Sequence, residues 1–205
     1  MPGTVIRSFA TPSNGPIGLT WDGRTLWHAD WNTNLIYQIA PASGRVVRSF
    51  ASPGDGPTGL TWDGRALWSA DIATALIYQI DPVSGRVIRS FASPSSQPVG
   101  LAWDGRALWV ADDGADGIYQ LDPVTGRVLR TLSAPSVLIH DIEFDGRYLW
   151  ATDYAGQAIH QIDPVTGRGI RYISAPSTNP TGLAYDGRTL WNADYTSALI
   201  YQLSV

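Results

Sequence analysis

Short apolar runs alternate along this chain with Gly, Pro and Asp, and no window places apolar residues at helical spacing. Residues 58 to 91 show the unit. Thr58–Trp62 is predicted as a first strand, A. Asp63-Gly64 then forms a two-residue hairpin, because Asp-Gly suits the positive φ angles of a type I′ turn. Arg65–Asp71 reads as strand B and Leu76–Ile80 as strand C. In Asp81-Pro82-Val83-Ser84-Gly85, Pro sets φ early and Gly is free to turn left-handed. Arg86–Phe91 alternates into strand D. Turn signals recur roughly every 8–12 residues, which leaves no room for helices.

The unit returns with a period of 41 residues and no insertion. Trp21-Asp22-Gly23-Arg24 is matched at Trp62, Trp103, Phe144 and Tyr185. Leu26-Trp27 is matched at Leu67, Leu108, Leu149 and Leu190, and Ile36-Tyr37-Gln38 at Ile77, Ile118, Ile159 and Ile200. Five copies of a four-strand unit predict an all-β fold, a single five-bladed β-propeller with four antiparallel strands per blade. Residues 1–205 form one domain, with repeats at about 3–43, 44–84, 85–125, 126–166 and 167–205. The chain opens on a D-type strand, Thr4–Phe9, and ends on a C-type strand, Leu199–Leu203. The N-terminal strand is therefore expected to complete the last blade and remove its open edge. The recurring Trp at 27, 68, 109, 150 and 191 is expected in the core. The Arg residues of strand D (Arg48, Arg89, Arg130, Arg171) are expected to guard the outer edges.

Composition narrows the chemistry. All 14 basic residues are Arg, and 17 of the 18 acids are Asp, Glu143 being the exception. Without Lys there is no Schiff-base chemistry, and without Cys no disulfide, thiolate metal site or thiol nucleophile. A net charge of −4 with no basic run argues against nucleic acid as a partner. No apolar run approaches the roughly 18 residues of a membrane span. Met1-Pro2-Gly3-Thr4 leads straight into a strand, so the chain as written is expected to be cytoplasmic, or secreted or periplasmic if a leader has been trimmed. A monomer is expected. No Gly-Xaa-Ser-Xaa-Gly elbow, His-Glu-Xaa-Xaa-His or phosphate-binding loop is present.

Pro98-Val99-Gly100-Leu101-Ala102-Trp103-Asp104-Gly105, Leu108-Trp109-Val110-Ala111-Asp112 and Ile118-Tyr119-Gln120-Leu121-Asp122-Pro123-Val124-Thr125-Gly126 resemble the NHL-type and YVTN-type propeller repeats over the whole chain. Groups with this pattern include streptogramin lyases and the five-bladed glutamine cyclotransferases. Pro57-Thr58-Gly59-Leu60 and Pro180-Thr181-Gly182-Leu183 are similar to the Phe-Thr-Gln-Gly-Leu motif of the second group, without its Gln. The resemblance implies the fold, and carries over no catalytic residue.

The repeats can be compared with one another. Between residues 44–84 and 85–125, 14 of 41 positions differ. Eight of these fall at 54–56 and 72–76, the D–A and B–C connections, which a propeller places on one face. Loops on a rigid frame are where binding sites concentrate, and drift of exposed loops is the competing explanation. The fourth repeat departs most, with Ile139-His140-Asp141-Ile142-Glu143. Asp141 stands where the other repeats have Gly18, Gly59, Gly100 and Gly182. Strand alternation would place His140 with Ile142, and Asp141 with Glu143. His140, Asp141 and Glu143 are candidates for acid/base or cation-binding work, or else a local hydrogen-bond network filling space beside the next blade. His28, Trp31, Tyr154 and Tyr195 are further ligand-binding candidates at the channel mouth. Asp112, Asp113 and Asp116 form an Asp/Gly loop that can hold Ca²⁺, although EF-hand spacing is absent. Asp30, Asp71, Asp112, Asp153 and Asp194 end strand B in every repeat and are assigned a structural role, as is His160.

No cofactor is required by these features, and a divalent cation is the one that could be accommodated. The leading expectation is a non-enzymatic scaffold that binds a small molecule or a protein on the D–A/B–C face. A cyclotransferase-like or lyase-like enzyme with its site at the channel mouth is the first alternative. A recently amplified or engineered repeat protein without an evolved ligand is the second.

Overall fold

The computed structural model describes residues 3–114, 117–133 and 138–205. Among these residues there are twenty strands and no helix. The chain enters on β1 (Val5–Ala10). Four sheets then follow in simple sequence. The first is β2 (Pro16–Trp21), β3 (Leu26–Asp30), β4 (Leu35–Ile39) and β5 (Val46–Ala51). The second is β6 (Pro57–Trp62), β7 (Leu67–Asp71), β8 (Leu76–Ile80) and β9 (Val87–Ala92). The third is β10 (Pro98–Trp103), β11 (Leu108–Asp112), β12 (Gly117–Leu121) and β13 (Val128–Ser133). The fourth is β14 (Ile139–Phe144), β15 (Leu149–Asp153), β16 (Ala158–Ile162) and β17 (Gly169–Ser174). The fifth has β18 (Pro180–Tyr185), β19 (Leu190–Asp194) and β20 (Leu199–Leu203), and takes β1 as its outer strand. All pairings are antiparallel, and β1 meets β20 with Ser8 opposite Tyr201 and Ala10 opposite Leu199. The expected propeller and its closure are both present. Each sheet is one blade, and the inner strands β2, β6, β10, β14 and β18 pack side by side around the axis.

The core is divided into five apolar clusters, one at each blade-to-blade interface. Each is anchored by one Trp of the recurring set, all at most 2% exposed. In one of them, Trp68, Ala70 and Ile77 of the second blade meet Leu101, Leu108, Val110 and Leu121 of the third. Three of these Trp rings tilt against a Phe from an outer strand: Phe9 on Trp191 at 6.0 Å, Phe50 on Trp27 at 5.9 Å and Phe91 on Trp68 at 5.8 Å.

The hairpin between the first two strands of each blade differs from the expected type I′ turn. Positive φ is found at Gly64 (+93°) and not at Asp63, and the Asp63 N–H bonds the Ala66 carbonyl around Gly64-Arg65. The reason is the Asp side chain. Oδ1 of Asp63 accepts the N–H groups of Arg65 and Ala66, and Oδ2 accepts Trp68 Nε1 at 2.8 Å. The same Asp–Trp bond recurs in the other four blades at 2.7–2.9 Å. Burial opposes ionisation there, but the donated bonds outweigh it, so Asp22, Asp104 and Asp186 lie below the usual carboxylate range. On the outer strands, Arg48 lies over Trp27 and donates to the Pro82 and Val83 carbonyls of the next blade, and Arg130 donates to the Pro164 carbonyl of the next, so these two Arg residues clamp blades together.

Candidate functional site

Each inner strand carries a bulge near its start, where the register against the second strand slips by one residue. In β14 the bulge lies between Ile139 and Ile142, so His140 and Asp141 together face one residue, Thr152. A bulge interrupts strict alternation and re-aims side chains. The facing expected for this strand is corrected accordingly: Ile142 packs in an apolar cluster, while His140 faces the channel mouth.

A cavity of about 390 Å³ opens at that mouth. It is lined by two concentric rows, one residue of each row from every blade. The inner row is Ile17, Thr58, Val99, His140 and Thr181, at the bulges. The outer row is Trp31, Ile72, Asp113, Tyr154 and Tyr195, each following the last residue of a second strand. One bond in each blade places the outer row. The N–H groups of Trp31, Ile72, Asp113, Tyr154 and Tyr195 donate to the carbonyls of Gly15, Gly56, Gln97, Leu138 and Asn179 in the preceding D–A loop. The recurring Asp beside it reinforces this. Asp71 accepts from Gly56 N at 2.9 Å and from Thr74, and Asp194 accepts from Asn179 N at 2.8 Å and from Ser197. The recurring Asp residues thus tie the two variable loops to one frame.

Within the cavity His140 stacks on Tyr154, ring centres 4.5 Å apart and 20° from parallel. Burial lowers the His140 pKa below its ordinary value, against the opposing charge of Asp113. The imidazole is therefore neutral at pH 7. Trp31 and Tyr195, about 40% exposed, form the rim. No Arg lines the cavity.

Asp141 lies elsewhere. Its carboxyl is fully buried between the inner strands. Oδ1 accepts Ile142 N at 3.0 Å and Leu101 N at 3.3 Å; Oδ2 accepts Leu183 N at 2.9 Å and Leu19 N at 3.3 Å. One side chain thereby bonds the backbones of four blades. Burial pushes its pKa well above the usual range, Glu143 adds to this, and the N–H bonds pull against it. The other four blades need Gly here because the inner strands approach too closely for a side chain: a Cβ on Gly18 would meet the Thr58 carbonyl oxygen at 2.1 Å. Thr152, which stands where the other repeats have Ala, completes the network. It accepts from Asp141 N and donates to the Thr181 carbonyl, both at 2.8 Å. Comparing the repeats at this position would have found Thr152 in the sequence.

Glu143 is also buried and accepts Phe144 N at 2.8 Å. Burial raises its pKa to about 8. It does not line the cavity, and His140, Asp141 and Glu143 do not converge on a common point there. His28 is fully buried, with Nδ1 3.1 Å from the Gly18 carbonyl, and Asn192 makes the equivalent bond to Gly182 at 3.0 Å. Neither lines the cavity. Of the Asp/Gly loop, Asp112 is buried and bonded to Ser95 at 2.7 Å, Asp113 faces the cavity, and Asp116 lies outside the described residues. Among the described residues no three His, Asp or Glu side chains are grouped to hold a metal ion.

No family model matches the chain, and no curated protein matches it in sequence. Solved structures do resemble it. Glutaminyl cyclase from Myxococcus xanthus superposes with a TM-score of 0.85 at 17% identity, over 99% of this chain and 97% of that one. Virginiamycin B lyase from Staphylococcus aureus, solved with quinupristin, gives 0.59 at 24% identity, over 96% of this chain and 68% of that one. A streptogramin B lyase gives 0.58 at 21% identity, over 96% and 67%. At these identities the likeness establishes architecture: the chain is a five-bladed β-propeller of the same fold as the glutaminyl cyclase.

Proposed function

We propose that this propeller binds a small molecule in the cavity at its channel mouth. The carrying observation is where the repeats differ. The inner row reads Ile, Thr, Val, His, Thr, and the outer row Trp, Ile, Asp, Tyr, Tyr. The positions just before the outer row are Asp in all five blades, and those two beyond the inner row are Leu in four blades and Ile in the fifth. Both rows thus vary between blades that hold the adjoining positions constant, in a cavity of the size and mixed aromatic and polar lining that ligand sites have.

The test is a thermal-shift screen of fragments against wild type and against Ile17→Trp, which fills the cavity from the inner row. A ligand at 100 times its Kd adds about 2.7 kcal/mol. Hits that stabilise wild type and fail on the filled variant are expected. Hits that bind both equally, or an empty screen, would overturn the reading.

Catalysis in the same cavity is a second reading, favoured by one observation: a half-buried, neutral imidazole on the inner row, suited to act as a general base. The resemblance to glutaminyl cyclase and to streptogramin-type lyases gives the substrate classes to try first. Turnover abolished by His140→Ala, with binding retained, would support it.

A further inference from the structure

We infer that the ligand is an organic cation, a protonated amine carrying a flat or apolar body. This rests on the cavity reading above and specifies its chemistry. Asp113 carries the inference. Its Oδ1 is buried from solvent and has no hydrogen-bond partner among the described residues, while its backbone is held by the bond to Gln97. The Asp113 carboxylate also lines the cavity, where a charge-assisted hydrogen bond from a ligand N–H is stronger than a neutral one.

The surroundings fit a cation and reject an anion. No Arg reaches the lining and the chain has no Lys. His140, its charged neighbour in other circumstances, is kept neutral by burial and leaves the Asp113 charge unbalanced. Trp31, Tyr154 and Tyr195 supply ring faces that attract cations and cover flat groups. A bare metal ion is the poorer match. Among the described residues one acid lines the cavity, and its volume of about 390 Å³ is that of an organic molecule. The remaining lining, Ile17, Ile72, Val99 and the two Thr residues, accommodates an apolar body.

Three probes of one size separate the possibilities: phenethylamine, 2-phenylethanol and 3-phenylpropanoate, titrated calorimetrically. Wild type is expected to bind the amine at least tenfold more tightly than the alcohol, and the acid not measurably. Asp113→Asn is expected to reduce the amine to the level of the alcohol and to leave the alcohol unchanged. If alcohol or acid binds as tightly as the amine, and Ile17→Trp abolishes all binding, the cavity reading stands and the cation assignment falls. The assignment falls equally if hits from the fragment screen are neutral or anionic and indifferent to Asp113→Asn. If neither the probes nor the screen yields a ligand, both fall.

Discussion

At the scale of single residues, the same amino acid does different work according to what surrounds it. Asp in the Asp-Gly turn is a structural acceptor that fixes the indole of the next strand. Trp68→Ala is therefore expected to cost about 3–5 kcal/mol, through lost burial and the cavity left behind. Trp68→Phe keeps a ring against Phe91 but removes the bond to Asp63, and is expected to cost about 1–2 kcal/mol. Urea melts of the two variants check the order, and a Trp68→Phe loss near zero would show that the indole N–H contributes nothing. Asp141 marks the limit of residue-level reading. Its departure from the Gly of four repeats is visible in the sequence, but that type equally suits a catalytic acid. Its bonds to Leu19, Leu101 and Leu183 decide the matter, and those partners lie 40 to 122 residues away.

At the scale of elements, the blade was legible because two signals agree: period-2 patterning within strands and a 41-residue repeat between them. Even the closing strand could be anticipated, since the chain begins on one strand type and lacks it at the end. Removing residues 1–10 would expose the outer edge of β20 and take Phe9 off Trp191. The truncated chain is expected to lose its cooperative melt or to associate through the open edge, and sedimentation together with a thermal melt distinguishes these outcomes from an unchanged monomer. The bulges were not legible. Nothing in Pro-Thr-Gly-Leu or Ile-His-Asp-Ile announces a slipped register, because the slip answers to crowding of five strands around an axis. It is the bulge that separates His140 from Ile142 and sends His140 to the cavity.

At the scale of the whole molecule, enclosing two carboxyl groups in the ring makes stability depend on pH. Glu143 is held near pKa 8 in the folded chain against 4.5 when unfolded. Between these values the unfolded chain ionises and the folded one does not, so stability falls as pH rises. From pH 6.5 to 8, Glu143 alone contributes a loss of about 1–2 kcal/mol, and Asp141, raised for the same reason, acts in the same direction. His140 acts oppositely: its lowered pKa costs stability only as pH falls below its unfolded value of 6.5. Denaturant melts at pH 6.5 and 8 are expected to show this fall, and Glu143→Gln to reduce it; a profile flat in wild type would contradict the burial of both groups. The sequence by itself determined the strands, their number and order, the blade count, the closing strand and the Trp core, because these follow from local patterning and from repetition that can be counted. Tertiary structure alone decided which of the unusual residues share a site. His140, Asp113 and three aromatic residues meet in one cavity, whereas Asp141, Glu143 and His28 are taken up inside the ring. Closing five blades into a circle brings together positions far apart in the chain, and the burial and partners that set their chemistry exist only once the circle is complete.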